Sequence, residues 1–109
     1  MRKTESGSIV PPVPIVKNLH KKIYESANQP HALEMSAWHA CEKTHCRAGW
    51  AVTVAGEEGR KLEKFFNTEL AAMLIYRAVG YHINPARFYD DNDAALADMK
   101  RLAKEAKAQ

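Results

Sequence analysis

The residues best suited to chemistry crowd into one stretch of the chain, WHACEKTHCRAGW, at positions 38–50. Both cysteines, both tryptophans and two of the five histidines lie there. Four of these side chains are able to bind zinc or to form a thiol–base pair: His39, Cys41, His45 and Cys46. The stretch is therefore compatible with a zinc site, a disulfide, a catalytic thiol or a dense part of the core.

The spacing of these residues disfavours a structural zinc site, because such sites usually take their ligands from two separated pairs. Here all four candidates lie within eight residues, and no second pair follows. Cys41 and His45 would share a helix face only if one helix ran unbroken through Thr44. We expect no bound metal and no other cofactor. If a metal site exists, its ligands are His39, Cys41, His45 and Cys46.

The same stretch lacks the partners that redox or catalytic chemistry needs. A disulfide between the cysteines is geometrically possible, but cytoplasmic thiols normally stay reduced. His39 or His45 would be a base for Cys41, and a helix N-terminus would lower the pKa of Cys46. No glycine-rich phosphate loop, paired carboxylates or hydrolase motif accompanies them. We therefore expect no catalytic residues, and we expect the cysteines and tryptophans to pack in the core.

The rest of the chain predicts an all-α fold, a compact bundle of about five short helices. Segment 69–79 is apolar almost all round and is expected to be the buried centre. Thr44 and Thr68 are expected to cap the helices that follow them. Gly49 is expected to permit the close approach of another helix, since glycine inside a helix costs about 1 kcal/mol relative to alanine. No convincing strand is predicted. Helical spacing marks segments 16–27, 31–40, 45–55, 57–66, 69–79 and the chain after 93.

The length, apolar runs and charge of the chain indicate its domain organisation and its cellular location. Its 109 residues predict a flexible, proline-containing arm at 1–14 and a single helical domain at 15–109. No apolar run approaches the ~20 residues of a membrane span, and the N-terminus lacks the apolar run of a secretory signal. We therefore expect a cytoplasmic protein that does not bind membranes. The net charge of +3 is small and dispersed, which is not typical of a nucleic-acid-binding domain.

The order of the motifs along the chain resembles that of a set of small bacteriophage and prophage proteins. The resemblance runs from about Leu19 to Ala106. It implies a bacterial or phage-infected cytoplasm and a mobile-element origin, and it implies no activity, cofactor or catalytic residue. The motifs are W-H-x-C-x4-C-R-A-G-W at 38–50, A-G-x-x-G-R-x-L-E at 55–63, A-A-x-L-I-Y at 71–76, F-Y at 88–89 and D-x-A-L-x-D-M at 93–99.

The sequence favours a small non-enzymatic module that binds a protein, such as a phage accessory factor or an inhibitor of a host system. The alternative is a helical nucleic-acid-binding module with a helix-turn-helix at 45–66. The second helix of that motif, at 57–66, begins with two glutamates, whose negative charge would oppose phosphate. A further alternative is a small zinc-binding domain that uses the 39–46 cluster. The expected contact surfaces are the arm at 1–14 and the loop at 81–89, in particular Tyr81, Arg87, Phe88 and Tyr89.

Overall fold

A computed structural model describes residues 10–107 of the chain. Within that range the protein is a helical bundle with one small sheet, so the predicted all-α class is confirmed. Residues 1–9 of the predicted arm lie outside the described part. The elements, in chain order, are α1 (Leu19–Ala27), β1 (His39–Cys41), β2 (Thr44–His45), α2 (Arg47–Val54), α3 (Gly56–Phe65), α4 (Thr68–Ala78), a 3-10 helix (Pro85–Tyr89) and α5 (Asn92–Lys107).

Helix α2 occupies the middle of the bundle, where it packs against α1, α3 and α4. Its small residues make this possible, since Ala48, Ala51 and Val52 are completely buried. Helix α3 can lie close to α2 because it carries Gly59. A Cβ at that position would meet the carbonyl oxygen of Val52 at 2.4 Å.

Helix α4 enters the core as predicted and shares the centre with α2. Its buried side chains come at helical spacing, which places them on the face that packs against α2 and α3. The chain leaves α4 through Gly80, whose φ of 87° lies in the left-handed region that glycine adopts without strain. The buried residues of α4 are Ala71, Ala72, Ile75 and Tyr76.

A buried charged network joins the central helices to α5. The Arg47 side chain is completely buried, and its Nη1 donates to Oδ2 of Asp98 at 2.6 Å. Its Nε donates to the hydroxyl of Tyr76 at 3.0 Å. Burial opposes ionisation of Asp98, but hydrogen bonds from Arg101 and Arg47 outweigh it and hold the pKa of this carboxyl below its ordinary 3.8. Asp98 is therefore an ionised partner for a fully buried guanidinium.

The predicted helix at 31–40 is wrong, and so is the expectation that the chain has no strand. Strands β1 and β2 form an antiparallel hairpin. The other edge of β2 pairs with the segment around Leu33, which precedes the hairpin. The amide of His45 donates to the carbonyl of Ala32 at 3.1 Å, and the amide of Glu34 donates to the carbonyl of His45 at 3.1 Å. These bonds give the backbone amides and carbonyls of the segment hydrogen-bond partners on another strand, so the segment does not need a helix to pair them.

Two predicted helix caps are also wrong by one or two residues. Thr44 donates its hydroxyl to the carbonyl of His31 at 2.6 Å, and Cys46 caps α2 instead, with its sulfur accepting from the amide of Gly49. Asn67 caps α4 by accepting from an amide in its first turn. The hydroxyl of Thr68 is not available for that role, because it donates to a glutamate of α3.

Among the helices at residues 10–107, none combines the length and the apolar character that a membrane crossing requires.

Candidate functional site

The β1–β2 hairpin lies directly against the first turn of α2, and Gly49 is the reason that it can. The carbonyl oxygen of Trp38 accepts from the amide of Cys46 at 3.2 Å. A Cβ at position 49 would lie 2.0 Å from that same oxygen, a distance that no side chain tolerates. The predicted close approach at Gly49 therefore exists, but the approaching group is the backbone of Trp38, just before β1, and not another helix.

A chain of hydrogen bonds fastens the hairpin to α3 and α4, with His39 at its middle. Nδ1 of His39 lies 2.6 Å from Nδ1 of His45, and Nε2 of His39 lies 2.6 Å from Oε2 of Glu63. The same oxygen of Glu63 accepts from the hydroxyl of Thr68 at 2.6 Å. At the other end, Nε2 of His45 lies 2.9 Å from the carbonyl of Glu42. We refer to His39, His45, Glu63 and Thr68 as the histidine chain.

The hydrogen-bond pattern assigns the protons along this chain. A carbonyl can only accept, so Nε2 of His45 carries a proton and its Nδ1 is the acceptor. Nδ1 of His39 must then donate to His45, and Nε2 of His39 faces the carboxylate of Glu63. His45 is therefore the acceptor of the pair, with its own proton on Nε2. Burial lowers the pKa of His45 below 6.5, and the positive charge of His39 acts in the same direction.

The histidine chain joins the hairpin to α3 and α4 through side-chain hydrogen bonds. All four ring nitrogens of its histidines have a hydrogen-bond partner, and Cys41 is not among these partners. Of the four residues named as ligands in case a metal site exists, His39 and His45 lie within hydrogen-bond distance of each other. Across the described residues, His, Cys, Asp and Glu side chains form no group of three or more that could hold a metal ion.

The two cysteines have opposite environments, and both are free thiols. Cys46 is completely buried, and this burial raises the pKa of its thiol despite its position at a helix N-terminus. The expectation of a lowered pKa at Cys46 was therefore wrong, because desolvation outweighs the helix amides. Cys41 is exposed at the end of β1, where the neighbouring Thr44 side chain lowers the pKa of its thiol. The prediction that both cysteines fill the core holds only for Cys46.

The two tryptophans also differ, and one of them was wrongly assigned to the core. Trp50 lies partly buried, donates its Nε1 to the carbonyl of Ala32 at 2.7 Å and packs edge-on against His45. Trp38 is 37% exposed and is not part of the core cluster. Its ring meets that of Tyr89 edge-to-face, with ring centroids 6.1 Å apart. The hairpin thus presents one tryptophan to solvent.

The exposed apolar side chains concentrate around Trp38. Six large hydrophobic residues are exposed in the described range, and three of them are Trp38, Leu70 and Tyr89. Trp38, Leu70 and Met73 line a shallow cavity of about 320 Å³, and Tyr89 closes against Trp38 while its hydroxyl donates to Glu69. Three separate elements build this surface. We refer to Trp38, Leu70, Met73 and Tyr89 as the aromatic face.

The predicted contact residues of the 81–89 loop differ in exposure: some are buried and others reach the surface. Phe88 is buried at 1% exposure against Tyr76, so its assignment to an interaction surface is wrong. Tyr81 is partly buried and packs edge-on against His20 and Tyr76. The exposed Arg87 pairs with Asp90 at 3.2 Å. Of the four residues, only Tyr89 belongs to the aromatic face, and no pattern in the sequence indicates that Trp38 or Leu70 is exposed beside it.

Stability is expected to fall as pH drops, because the folded protein lowers the pKa of two histidines, the buried His45 and the half-buried His20. Burial lowers the pKa of His45 and of His20 below 6.5. The unfolded chain therefore binds more protons around pH 5–6, so the stabilisation is fully present above about pH 6.5 and is lost below it. Denaturant unfolding at pH 7.5 and pH 5.0 measures the difference. His45→Gln should reduce it and the further change His20→Phe should reduce it again; equal differences in all three proteins would contradict this account.

No family model matches this chain, and comparisons with curated proteins and with solved structures found no significant similarity. The resemblance to bacteriophage and prophage proteins therefore stays a prediction.

Proposed function

We propose that this protein is a small non-enzymatic module that binds a partner protein through the aromatic face, in the cytoplasm of a bacterial or phage-infected cell. The observation that supports this proposal is the pairing of two exposed aromatic rings, Trp38 and Tyr89, beside the cavity at Leu70. Tryptophan and tyrosine are the residues most enriched among those that dominate binding energy in protein interfaces.

The aromatic face has the anatomy of an interface centre. Its apolar side chains share the lining of the cavity with polar ones, Asn67, Thr68 and Glu69. A patch of this kind, apolar in the middle and polar at its edge, is typical of protein interaction sites. The surface is also rigid, since the histidine chain and the Trp38–Cys46 backbone bond hold the hairpin in place. A preformed surface loses less entropy when a partner binds.

The proposal predicts that Trp38→Ala and Tyr89→Ala weaken capture of the partner at least about tenfold. The measurement is quantitative pull-down from nuclease-treated bacterial lysate, followed by titration of the captured protein. Ile15→Ser is the matched control, because Ile15 is 76% exposed and lies outside the aromatic face. Thermal unfolding of each variant verifies that the fold is intact.

The outcomes separate the candidate functions. A partner that is lost with Trp38→Ala but kept with Ile15→Ser supports the proposal. A partner that binds all variants equally contradicts it. Capture that disappears on nuclease treatment would support the nucleic-acid-binding alternative instead, and a protein that copurifies with stoichiometric zinc would support the zinc-binding alternative.

A further inference from the structure

An acidic cleft adjoins the aromatic face, and Tyr89 is a wall of both. The cleft has a volume of about 700 Å³. It lies where the segment before the hairpin meets the start of α5. Because Tyr89 also contacts Trp38, the apolar cavity and the acidic cleft form one continuous surface. The carboxylates that line the cleft are Glu34, Asp90, Asp91 and Asp93.

The negative charge of this cleft is only partly compensated within the protein. Asp90 pairs with Arg87. Asp91 accepts from the amide of Ala94 and Glu34 accepts from Ser36, but these neutral donors leave the charges in place. The positive end of the α5 dipole offsets about half a charge. The cleft therefore stays distinctly negative, because its four carboxylates outnumber the one arginine and the helix dipole that offset them. The chain as a whole, in contrast, has a formal net charge of +3.

The walls of the cleft are fixed relative to one another by Asn92. Its Oδ1 accepts from the amide of Met35 at 2.8 Å, and its Nδ2 donates to the carbonyl of Leu33 at 3.3 Å. These two bonds join the segment before the hairpin to the first turn of α5. The charges therefore have a defined position beside the aromatic rings, so a partner meets a fixed pattern of apolar and negative groups.

We infer that the partner presents a segment in which a large apolar side chain is followed or preceded by lysine or arginine. The apolar side chain fits the cavity at Trp38 and Leu70, and the cation fits the cleft beyond Tyr89. Charge complementarity of this kind chiefly raises the association rate and excludes wrong partners. Phosphate backbones would be repelled by the same cleft, which favours a protein over a nucleic acid. This inference rests on the proposed function, since it names the partner class of the same surface.

The test is selection of a random peptide library displayed on phage against the immobilised full chain, with the Trp38→Ala variant used to remove nonspecific binders. We expect the enriched peptides to combine a large apolar residue with a net positive charge. The best synthetic peptide is then titrated against a triple variant that keeps the size of the acids, Glu34→Gln with Asp91→Asn and Asp93→Asn. The control neutralises three exposed acids outside the face, Glu25→Gln with Glu57→Gln and Glu58→Gln.

The triple variant should bind the peptide about tenfold more weakly, mainly through a slower association rate, and the difference should shrink in high salt. The control variant should bind like the wild type. Enriched peptides that are neutral or acidic, or equal binding by the two triple variants, would overturn the inference while Trp38 dependence upholds the proposed function. A selection that yields no peptide dependent on Trp38 would count against both.

Discussion

Replacing Asp98 with alanine is expected to lower the free energy of unfolding by about 3–5 kcal/mol. The reason is that the substitution leaves the buried Arg47 without its carboxylate partner. The Arg47 guanidinium is completely buried, and an arginine cannot lose its proton to escape the cost of burial. Without Asp98 its remaining polar contact is the hydroxyl of Tyr76 at 3.0 Å. A single neutral hydrogen bond does not replace a carboxylate. Urea unfolding of Asp98→Ala and the wild type measures the loss.

Arg101 provides the matched control, because it also binds Asp98 but from the surface. Its side chain is 49% exposed, and its Nη2 donates to Oδ1 of Asp98 at 2.8 Å. Solvent screens such a pair, so Arg101→Ala should cost less than about 1 kcal/mol. The double change Arg47→Met with Asp98→Leu should recover most of the stability lost in Asp98→Ala, since it removes both buried charges. A loss below about 1 kcal/mol in Asp98→Ala would show that Arg47 reaches water.

Replacing Gly49 with alanine is expected to cost about 3 kcal/mol and to abolish partner binding. Two effects compete. Alanine is favoured over glycine inside a helix by about 1 kcal/mol, which alone would stabilise α2. The added Cβ, however, would lie 2.0 Å from the carbonyl oxygen of Trp38, and overpacking of this kind reaches about 3 kcal/mol or more. The clashing atom is a backbone oxygen of Trp38 and cannot rotate aside as a side chain would, so Trp38 and the hairpin that follows it have to move.

Gly80→Ala is the control for Gly49→Ala, because it changes glycine to alanine where space is open. A Cβ at position 80 would meet nothing within 4 Å, but φ there is 87°. Its cost is therefore backbone strain of about 1–2 kcal/mol, and the aromatic face stays in place. Gly49→Ala should lose both stability and binding, whereas Gly80→Ala should lose only stability. A Gly49→Ala protein as stable as the wild type would mean that the hairpin does not rest on α2.

The helices of this protein were predictable because their apolar stripes are long enough to show a period. The stripe of α1 places Leu19, Ile23 and Ala27 on one face, and all three are buried. The hairpin was not predictable in the same way. Strands of two and three residues are too short to show alternation, and the apolar residues at 33, 35 and 38 happen to fit helical spacing. Pairing with β2, a contact made later in the chain, decides their structure.

The buried ion pair between Arg47 and Asp98 could have been predicted from the sequence. Asp98 sits in the apolar stripe of α5, three residues after Ala95 and four before Leu102, both of which are buried. Arg47 likewise begins a helix of small apolar residues. Opposite charges on two apolar stripes indicate an internal pair. The aromatic face gave no comparable signal, because the exposure of Trp38 depends on which way the hairpin lies across α2 and α4.

The most direct test of the aromatic face as the binding surface is photo-crosslinking from within it. Benzoylphenylalanine would replace Trp38 in one protein and Ile15, an exposed residue outside the face, in another. Each is irradiated in nuclease-treated bacterial lysate, with excess unlabelled wild type as competitor. We predict one discrete protein crosslinked at position 38, absent at position 15 and removed by the competitor. A discrete crosslinked protein at position 15 with none at position 38 would contradict the account.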